Sequence, residues 1–299
     1  MATTPIHLEG TTLEGGGQLL RIALALSSLT RTPINITNIR GRRSGGGGLK
    51  AQHLAIRLTG GTNVSNSPSF EYMTEVLIPM LALIGIPAME AKLHSRGWSQ
   101  GSTRLGSATY TMTPLTTRLP AFQLADRGHI KHVKAIVIAP RDTEQHFRDQ
   151  LDAMLEKGES GFFGSNTAAG EVDVTFQDSQ HEKRYYMLLV ATSTNGIKLG
   201  RDWLYDQGVR PGKTDKIVPA MVMKVSEDLL REIAHGGCVD EYMRDELVVF
   251  QALAEGKSRV YSGRLGDSVV PPSLHAKTAT WVAKKMMGVD FDEEERKSL

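Results

Sequence analysis

Residues 13–54 read LEGGGQLLRIALALSSLTRTPINITNIRGRRSGGGGLKAQHL, and this stretch decides the fold class. It opens on a glycine turn, Gly15-Gly16-Gly17, that feeds residues 18–29. These are apolar nearly all round and predict a buried helix. Residues 33–39 follow with Ile34 and Ile36 in alternation, the pattern of a half-buried strand. A glycine turn, a buried helix and a strand in succession point to α/β layering.

The same stretch is dense in anion-binding groups. Arg21 lies in the helical segment, and Arg40, Arg42 and Arg43 stand in a loop ahead of four more glycines. Glycine lets backbone N–H groups approach an anion, a helix N-terminus adds partial positive charge, and guanidinium forks bind phosphate bidentately. Either glycine run alone reads more readily as a turn or a solvated basic loop. Together they point to a site for a polyphosphate or a nucleic-acid end.

Outward from there, helix-like and strand-like segments alternate. A second helix is predicted over 50–58, a loop at Gly60-Gly61-Thr62-Asn63 and a long amphipathic helix over 70–84. Strands are predicted at 88–93, 108–112 and 133–139. A helix over 143–156, a glycine-rich loop at 158–170 and strands at 171–176 and 185–192 come next. Helices over 214–234, 239–254 and 274–287 precede a charged tail. The middle portion reads as an inserted α/β subdomain over 141–235, leaving 1–140 and 236–299 as a large domain.

Composition excludes several classes. The chain has 299 residues, 40% of them hydrophobic, and a formal charge of +2. That supports a sizeable core but no global basic field, so any nucleic-acid contact must come from a local patch. The single cysteine, Cys238, excludes a disulfide framework and a cysteine-cluster zinc site. No stretch approaches the roughly 18 apolar residues of a membrane span, and no signal-peptide pattern opens the sequence. An intracellular protein, nuclear or cytoplasmic, is expected.

Several blocks then run in a telling order: Leu13-Glu-Gly-Gly-Gly-Gln18 with Arg21, Ile39-Arg-Gly-Arg-Arg43 with Gln52-His53-Leu54, and Gly60-Gly-Thr-Asn63. His235-Gly-Gly with Val239-Asp-Glu-Tyr242 and Asp245, and Leu274-His275 with Thr278-Ala279, complete the set. The sequence resembles the RNA 3′-terminal phosphate cyclases over nearly its whole length. The resemblance implies the α/β fold shared with the enolpyruvate transferases, built of repeated βαβ-type units with a smaller inserted α/β subdomain. It implies a nucleotidyl-transfer ligase that converts ATP to AMP and pyrophosphate. AMP passes through a histidine to an RNA 3′-phosphate, and the neighbouring 2′-hydroxyl displaces it to leave a 2′,3′-cyclic phosphate.

Carried over residue by residue, His275 matches the nucleophile. Without the family, a histidine beside a helix start reads as a cap or a surface residue. Arg21, Arg40 and Arg43 would grip the phosphates of ATP and of the RNA end. Gly15, Gly16, Gly17, Gln18, Gln52, His53, Tyr242, Asp245 and Glu246 would line the nucleotide. Glu14 and Asp245 are carboxylates suited to a divalent cation, Mg or Mn. The expected partner is a single-stranded RNA 3′ end.

Departures from the family shape the remaining expectations. After His53 the chain lacks a long segment that the family carries, which would leave sheet edges open and make a homodimer the expected compensation. Glu246 replaces the usual glutamine and adds a negative charge beside bound phosphate. Arg42 stands where a small residue is usual, and Gly200-Arg201-Asp202-Trp203 occupies the place of a glycine-rich basic loop. Two other readings follow: a catalytically impaired RNA-binding relative, or an adenylylating enzyme of this fold with a different substrate.

Overall fold

The computed structural model describes residues 6–9, 22–23, 34–37, 55–65, 67–99, 105–113, 115, 117–163, 171–207 and 214–291. Its strands in chain order begin with β1 (Ile6–Glu9), β2 (Ile34–Thr37), β3 (Ala55–Gly60), β4 (Met89–Ser95) and β5 (Gly106–Met112). They continue with β6 (Gln123–Leu124), β7 (Ile130–Ala139), β8 (Glu171–Asp178), β9 (Tyr186–Ser193), β10 (Lys198–Leu204) and β11 (Arg259–Val260). Helix α1 combines Phe70–Tyr72, a π-helical stretch Met73–Leu77 and Ile78–Leu83. The longer helices are α2 (Glu144–Phe162), α3 (Ile217–Ala234), α4 (Glu241–Leu253) and α5 (Leu274–Met287). This mixed α/β architecture is that of the predicted fold class.

The chain divides into two compact units, one formed by Met1–Gln52, Leu115–Ala125 and Glu241–Leu299, the other by His53–Pro114 and Asp126–Asp240. In the first, β1 and β2 pair in parallel, Ile6 opposite Ile34, and β6 pairs in parallel with β11. Its core joins Leu8 of β1, the helical pair Ile22-Ala23, Val248 and Ala252 of α4, and Ala279, Val282, Ala283 and Met286 of α5. Small residues at 279 and 283 let α4 and α5 approach closely.

The second unit holds two sheets. One has the order β10-β9-β7-β8, with β7 and β8 parallel and joined by the α2 crossover, and β9 antiparallel to both β7 and β10. Every residue of β9 but Thr192 is buried, so the apolar run that marks this strand in the sequence reports a sheet covered on both faces. Glu75 of α1 accepts from the Lys134 ammonium at 2.8 Å, which puts α1 on one face. Arg201 of β10 pairs with Glu232 of α3 on the other. The second sheet has the order β3-β5-β4, antiparallel throughout.

Three sequence expectations are corrected. Residues 55–58, predicted helical, form β3, because backbone pairing with β5 (Ala55 opposite Thr111) outweighs local propensity. Residues 158–162, predicted as loop, continue α2. Gly200-Arg201-Asp202-Trp203 lies in β10 rather than a loop. Gly200 is required there: a Cβ would stand 2.7 Å from Val76 Cγ2 and 3.0 Å from Tyr72 Cε2. Only a bare backbone admits α1 at that distance.

Between α1 and the larger sheet lies a polar layer. Ser69 caps α1 by accepting the Tyr72 N–H, and its hydroxyl is 2.6 Å from the Tyr186 hydroxyl, which donates to Asp202 at 3.0 Å. Burial pushes the Asp202 carboxyl up to about 6, against the hydrogen bonds of Ser69 and Tyr186 and the charge of Arg201, with Asp240 reinforcing the rise. A carboxyl whose pKa is raised on folding holds its proton more tightly in the folded state, so ionisation favours the unfolded state as pH rises. Stability from this group is therefore fully present below about pH 4 and is lost as pH rises through about 6. Asp202→Asn keeps an oxygen for Tyr186 without the charge. It is expected to raise stability at pH 7 by about 2 kcal/mol and to flatten the profile between about pH 4 and 6, read by urea unfolding. A profile still falling between those values in the variant would assign it to another group.

Candidate active site

The predicted nucleophile stands at the entry to α5. Pro271-Pro272 ends the preceding segment, and Ser273 takes the extended conformation of an N-cap and accepts the Ala276 N–H at 3.0 Å. His275 is thus in the first helical turn, and it is exposed. The side chain is presented to solvent by a rigid element whose inner face, Ala276, Thr278, Ala279 and Val282, is buried. Arg244 of α4 is buried, and its guanidinium donates to the Val270 carbonyl at 2.6 Å. That bond ties α4 to the segment leading into His275.

On α4, Tyr242, Asp245 and Glu246 are spaced i, i+3, i+4 and so share one face. Tyr242 is 37% exposed and Asp245 8%, with Glu246 half-buried. The gradient runs from an exposed aromatic ring to a carboxylate embedded in the helix surface. Among the described residues no three of His, Cys, Asp and Glu come together to hold a metal ion. Of the expected pair of metal carboxylates only Asp245 is described. Glu14, Gly15, Gly16, Gly17, Gln18, Arg21, Arg40, Arg43, Gln52 and His53 lie outside the described residues.

Ile22 and Ala23, directly after Arg21, are 5% and 0% exposed, and they join the core shared by α4 and α5. The described residues 22–23 and the helices α4 and α5, more than two hundred residues apart in the sequence, thus share one hydrophobic cluster. The block Gly60-Gly61-Thr62-Asn63 has a structural role instead. The backbone N–H groups of Thr62 and Asn63 both donate to the Gly97 carbonyl, and the Asn63 amide donates to Glu71 at 2.8 Å, which also receives Arg96 at 2.6 Å.

Two other nucleophile-type groups are set aside by their surroundings. Burial, opposed by Arg127 and reinforced by Asp126, pushes the Cys238 thiol up to about 11, so it stays protonated at neutral pH. His235 is half-buried, its Nδ1 4.0 Å from the buried Glu232 carboxylate, rather than presented to solvent. Nothing in the motif pattern points to Arg244, because a lone arginine on a helix reads as solvated surface.

An exposed histidine thus stands at the start of a capped helix, and the neighbouring helix carries a buried carboxylate. The sequence pattern of the RNA 3′-terminal phosphate cyclases matches residues 12–57 and 54–292, and the chain belongs to that family. It is 26% identical to a protein named probable RNA 3′-terminal phosphate cyclase from Dictyostelium discoideum, covering 95% of this chain and 77% of the relative. It is 24% identical to the RNA 3′-terminal phosphate cyclase of Drosophila melanogaster, covering 96% and 92%, and 24% identical to that of Korarchaeum cryptofilum, covering 96% and 93%. The first two alignments run over 357 and 354 positions against 299 residues here, so the relatives carry residues this chain lacks. The two matched pieces meet at 54–57, as expected for a chain shortened directly after His53. Among the described residues no helix is long and apolar enough to cross a membrane.

Proposed function

We propose that this chain is an ATP-dependent RNA 3′-phosphate cyclase that works through His275. The imidazole attacks the α-phosphate of ATP, forming a P–N bond as the bond to pyrophosphate breaks. The RNA 3′-phosphate oxygen then takes AMP from the histidine. Attack of the 2′-hydroxyl on that activated phosphate, with loss of its proton, expels AMP and closes the 2′,3′-cyclic phosphate. The observation that carries this reading is the exposed His275 in the first turn of α5, where helix N–H groups favour a phosphate beside the ring. Arg21, Arg40 and Arg43 would hold the phosphates, with Mg or Mn on Glu14 and Asp245. The setting in this reading is intracellular.

Mixing the protein with ATP labelled on the α-phosphate is expected to give acid-labile covalent AMP, and ATP labelled on the γ-phosphate to give none. Absence of label from both, with RNA binding intact, would favour the impaired RNA-binding relative, a reading that the shortening after His53 supports. Among the described residues β3 pairs only with β5 and forms an edge of its sheet. A homodimer joined through that edge belongs to the same proposal, and light scattering tests it.

Glu246 provides a further test. It is half-buried next to the embedded Asp245, and an ionised acid there repels phosphate unless a divalent metal offsets it. Glu246→Gln is expected to tighten ATP binding several-fold at low Mg and to leave it nearly unchanged at saturating Mg. Equilibrium binding at two metal concentrations reads this directly. An unchanged or weaker affinity at low Mg would place Glu246 away from the phosphates.

A further inference from the structure

A cavity of about 200 Å³ opens beside α5, lined chiefly by Arg244, Lys277, Thr280, Trp281, Lys284 and Phe291. Residues 277, 280, 281 and 284 follow the i, i+3, i+4, i+7 spacing of one helical face. At about 100° per residue, Lys277 stands roughly 200° round the helix from His275, so this is a different surface from that of the candidate nucleophile. Three cations border the cavity. The Lys284 ammonium also meets the largely exposed Asp290 carboxylate at 3.0 Å, and Lys277 is exposed.

The lining has the chemistry of a nucleotide subsite. Trp281 is only partly buried, packing one side against the hydrophobic core while also lining the cavity. Indole faces stack on nucleobases without regard to sequence, and flanking ammonium groups take phosphate. Size restricts the occupant. The cavity exceeds several times the roughly 30 Å³ of a water molecule but falls below the roughly 300–1,000 Å³ of a pocket for a drug-sized ligand. It has room for one base or one sugar-phosphate. Lys284 lies nine residues beyond His275, about 14 Å along the axis and on the opposite side of the helix, so the axial rise is the least distance a strand must cover. A stacked strand with a phosphate every roughly 3.4 Å needs about four nucleotides to cover that distance.

We propose that this cavity holds a nucleotide of the RNA strand upstream of the reacting 3′ end, its base against Trp281 and its phosphate on Lys277 and Lys284. The proposal rests on the cyclase reading of His275. It makes affinity depend on RNA length, because a dinucleotide anchored at its 3′-phosphate cannot reach Lys284.

Fluorescence anisotropy with a 3′-phosphorylated decamer, and competition by a 3′-phosphorylated dinucleotide, measures the advantage of the longer RNA. In Lys277→Gln/Lys284→Gln that advantage is expected to shrink about tenfold, and the log–log salt slope for the decamer to fall by about 0.7 for each phosphate contact removed. Lys285→Gln, at an exposed position outside the lining, is expected to leave both unchanged. Decamer-dependent quenching of intrinsic fluorescence should disappear in Trp281→Phe. If the wild-type protein takes AMP label and cyclises RNA ends but the length advantage survives in the double variant, the cavity proposal falls alone. It falls in the same way if Lys285→Gln shows an equal loss. If the wild-type protein neither takes label nor prefers the longer RNA, the cyclase reading falls and this proposal with it.

Discussion

His275→Ala is expected to reduce acid-labile AMP labelling by roughly 10³-fold or more while moving unfolding free energy by no more than about 0.5 kcal/mol. The two halves of this result have separate causes. Labelling requires a ring nitrogen or an equivalent nucleophile at the α-phosphate, and the groups nearest in type are unsuited: His235 is half-buried beside the Glu232 carboxylate, and Cys238 is held protonated. Stability is spared because the imidazole is exposed, whereas the core contacts of α5 are made by Ala279, Val282, Ala283 and Met286. The helix start depends on Ser273, which the substitution leaves in place. Label transfer followed by gel autoradiography, with urea unfolding of the same preparation, reads both. Equal labelling in the variant would remove His275 from the mechanism, and a loss of several kcal/mol would show that the ring supports the fold.

The helix that carries His275 is legible in the sequence because its signals are local. Pro271-Pro272-Ser273 marks a start, and the predicted bounds 274–287 are those of α5. The strand over 185–192 is legible for a different reason: an unbroken apolar run must be buried on both faces. β10 is not. Its residues Gly200, Arg201 and Asp202 read as loop chemistry, since the groups that make them acceptable in a sheet, Glu232, Asp240 and Tyr186, are distant in sequence. A usable signal does exist in Asn195-Gly196, where Gly196 takes φ 81° in the turn joining two apolar runs. β3 escapes for the opposite reason. It is an edge strand with mostly exposed side chains, so no alternation of burial is written into its sequence.

The site divides along similar lines. Motif order singles out His275 and the residues Tyr242, Asp245 and Glu246 as candidates, and the latter three share one face of α4. Arg244, Lys277, Trp281 and Lys284 belong to none of those motifs. Their meaning is tertiary, created when α4 and α5 pack and leave a cavity between the cationic ends of side chains that each look solvated in isolation.

The largest effect on folding is expected at Asp240, within a block that the family resemblance singles out. Its carboxylate is 1% exposed and accepts hydrogen bonds from the Tyr72 hydroxyl at 2.7 Å and from the Gly200 N–H at 2.7 Å. It therefore joins the end of the segment after α3 to α1 and to the centre of β10, where the missing Cβ of Gly200 lets α1 approach. Asp240→Ala would leave a buried hydroxyl and a buried N–H without their acceptor, each costing about 1–3 kcal/mol, and would open a small void besides. A total loss of about 3–5 kcal/mol is expected, a large share of the stability of a domain this size. Asp240→Asn separates the hydrogen bonds from the charge. Its amide oxygen can accept from Gly200, and its NH₂ can donate to Tyr72, whose hydroxyl reverses from donor to acceptor. That variant should lose no more than about 1.5 kcal/mol, and Tyr72→Phe an intermediate amount, since it orphans one oxygen rather than two donors. Equilibrium urea unfolding of the three variants at pH 7 gives the ranking. If Asp240→Asn proves as damaging as Asp240→Ala, the negative charge itself holds the layer together, and its partner must be sought among the arginines near β10 rather than in Tyr72 and Gly200.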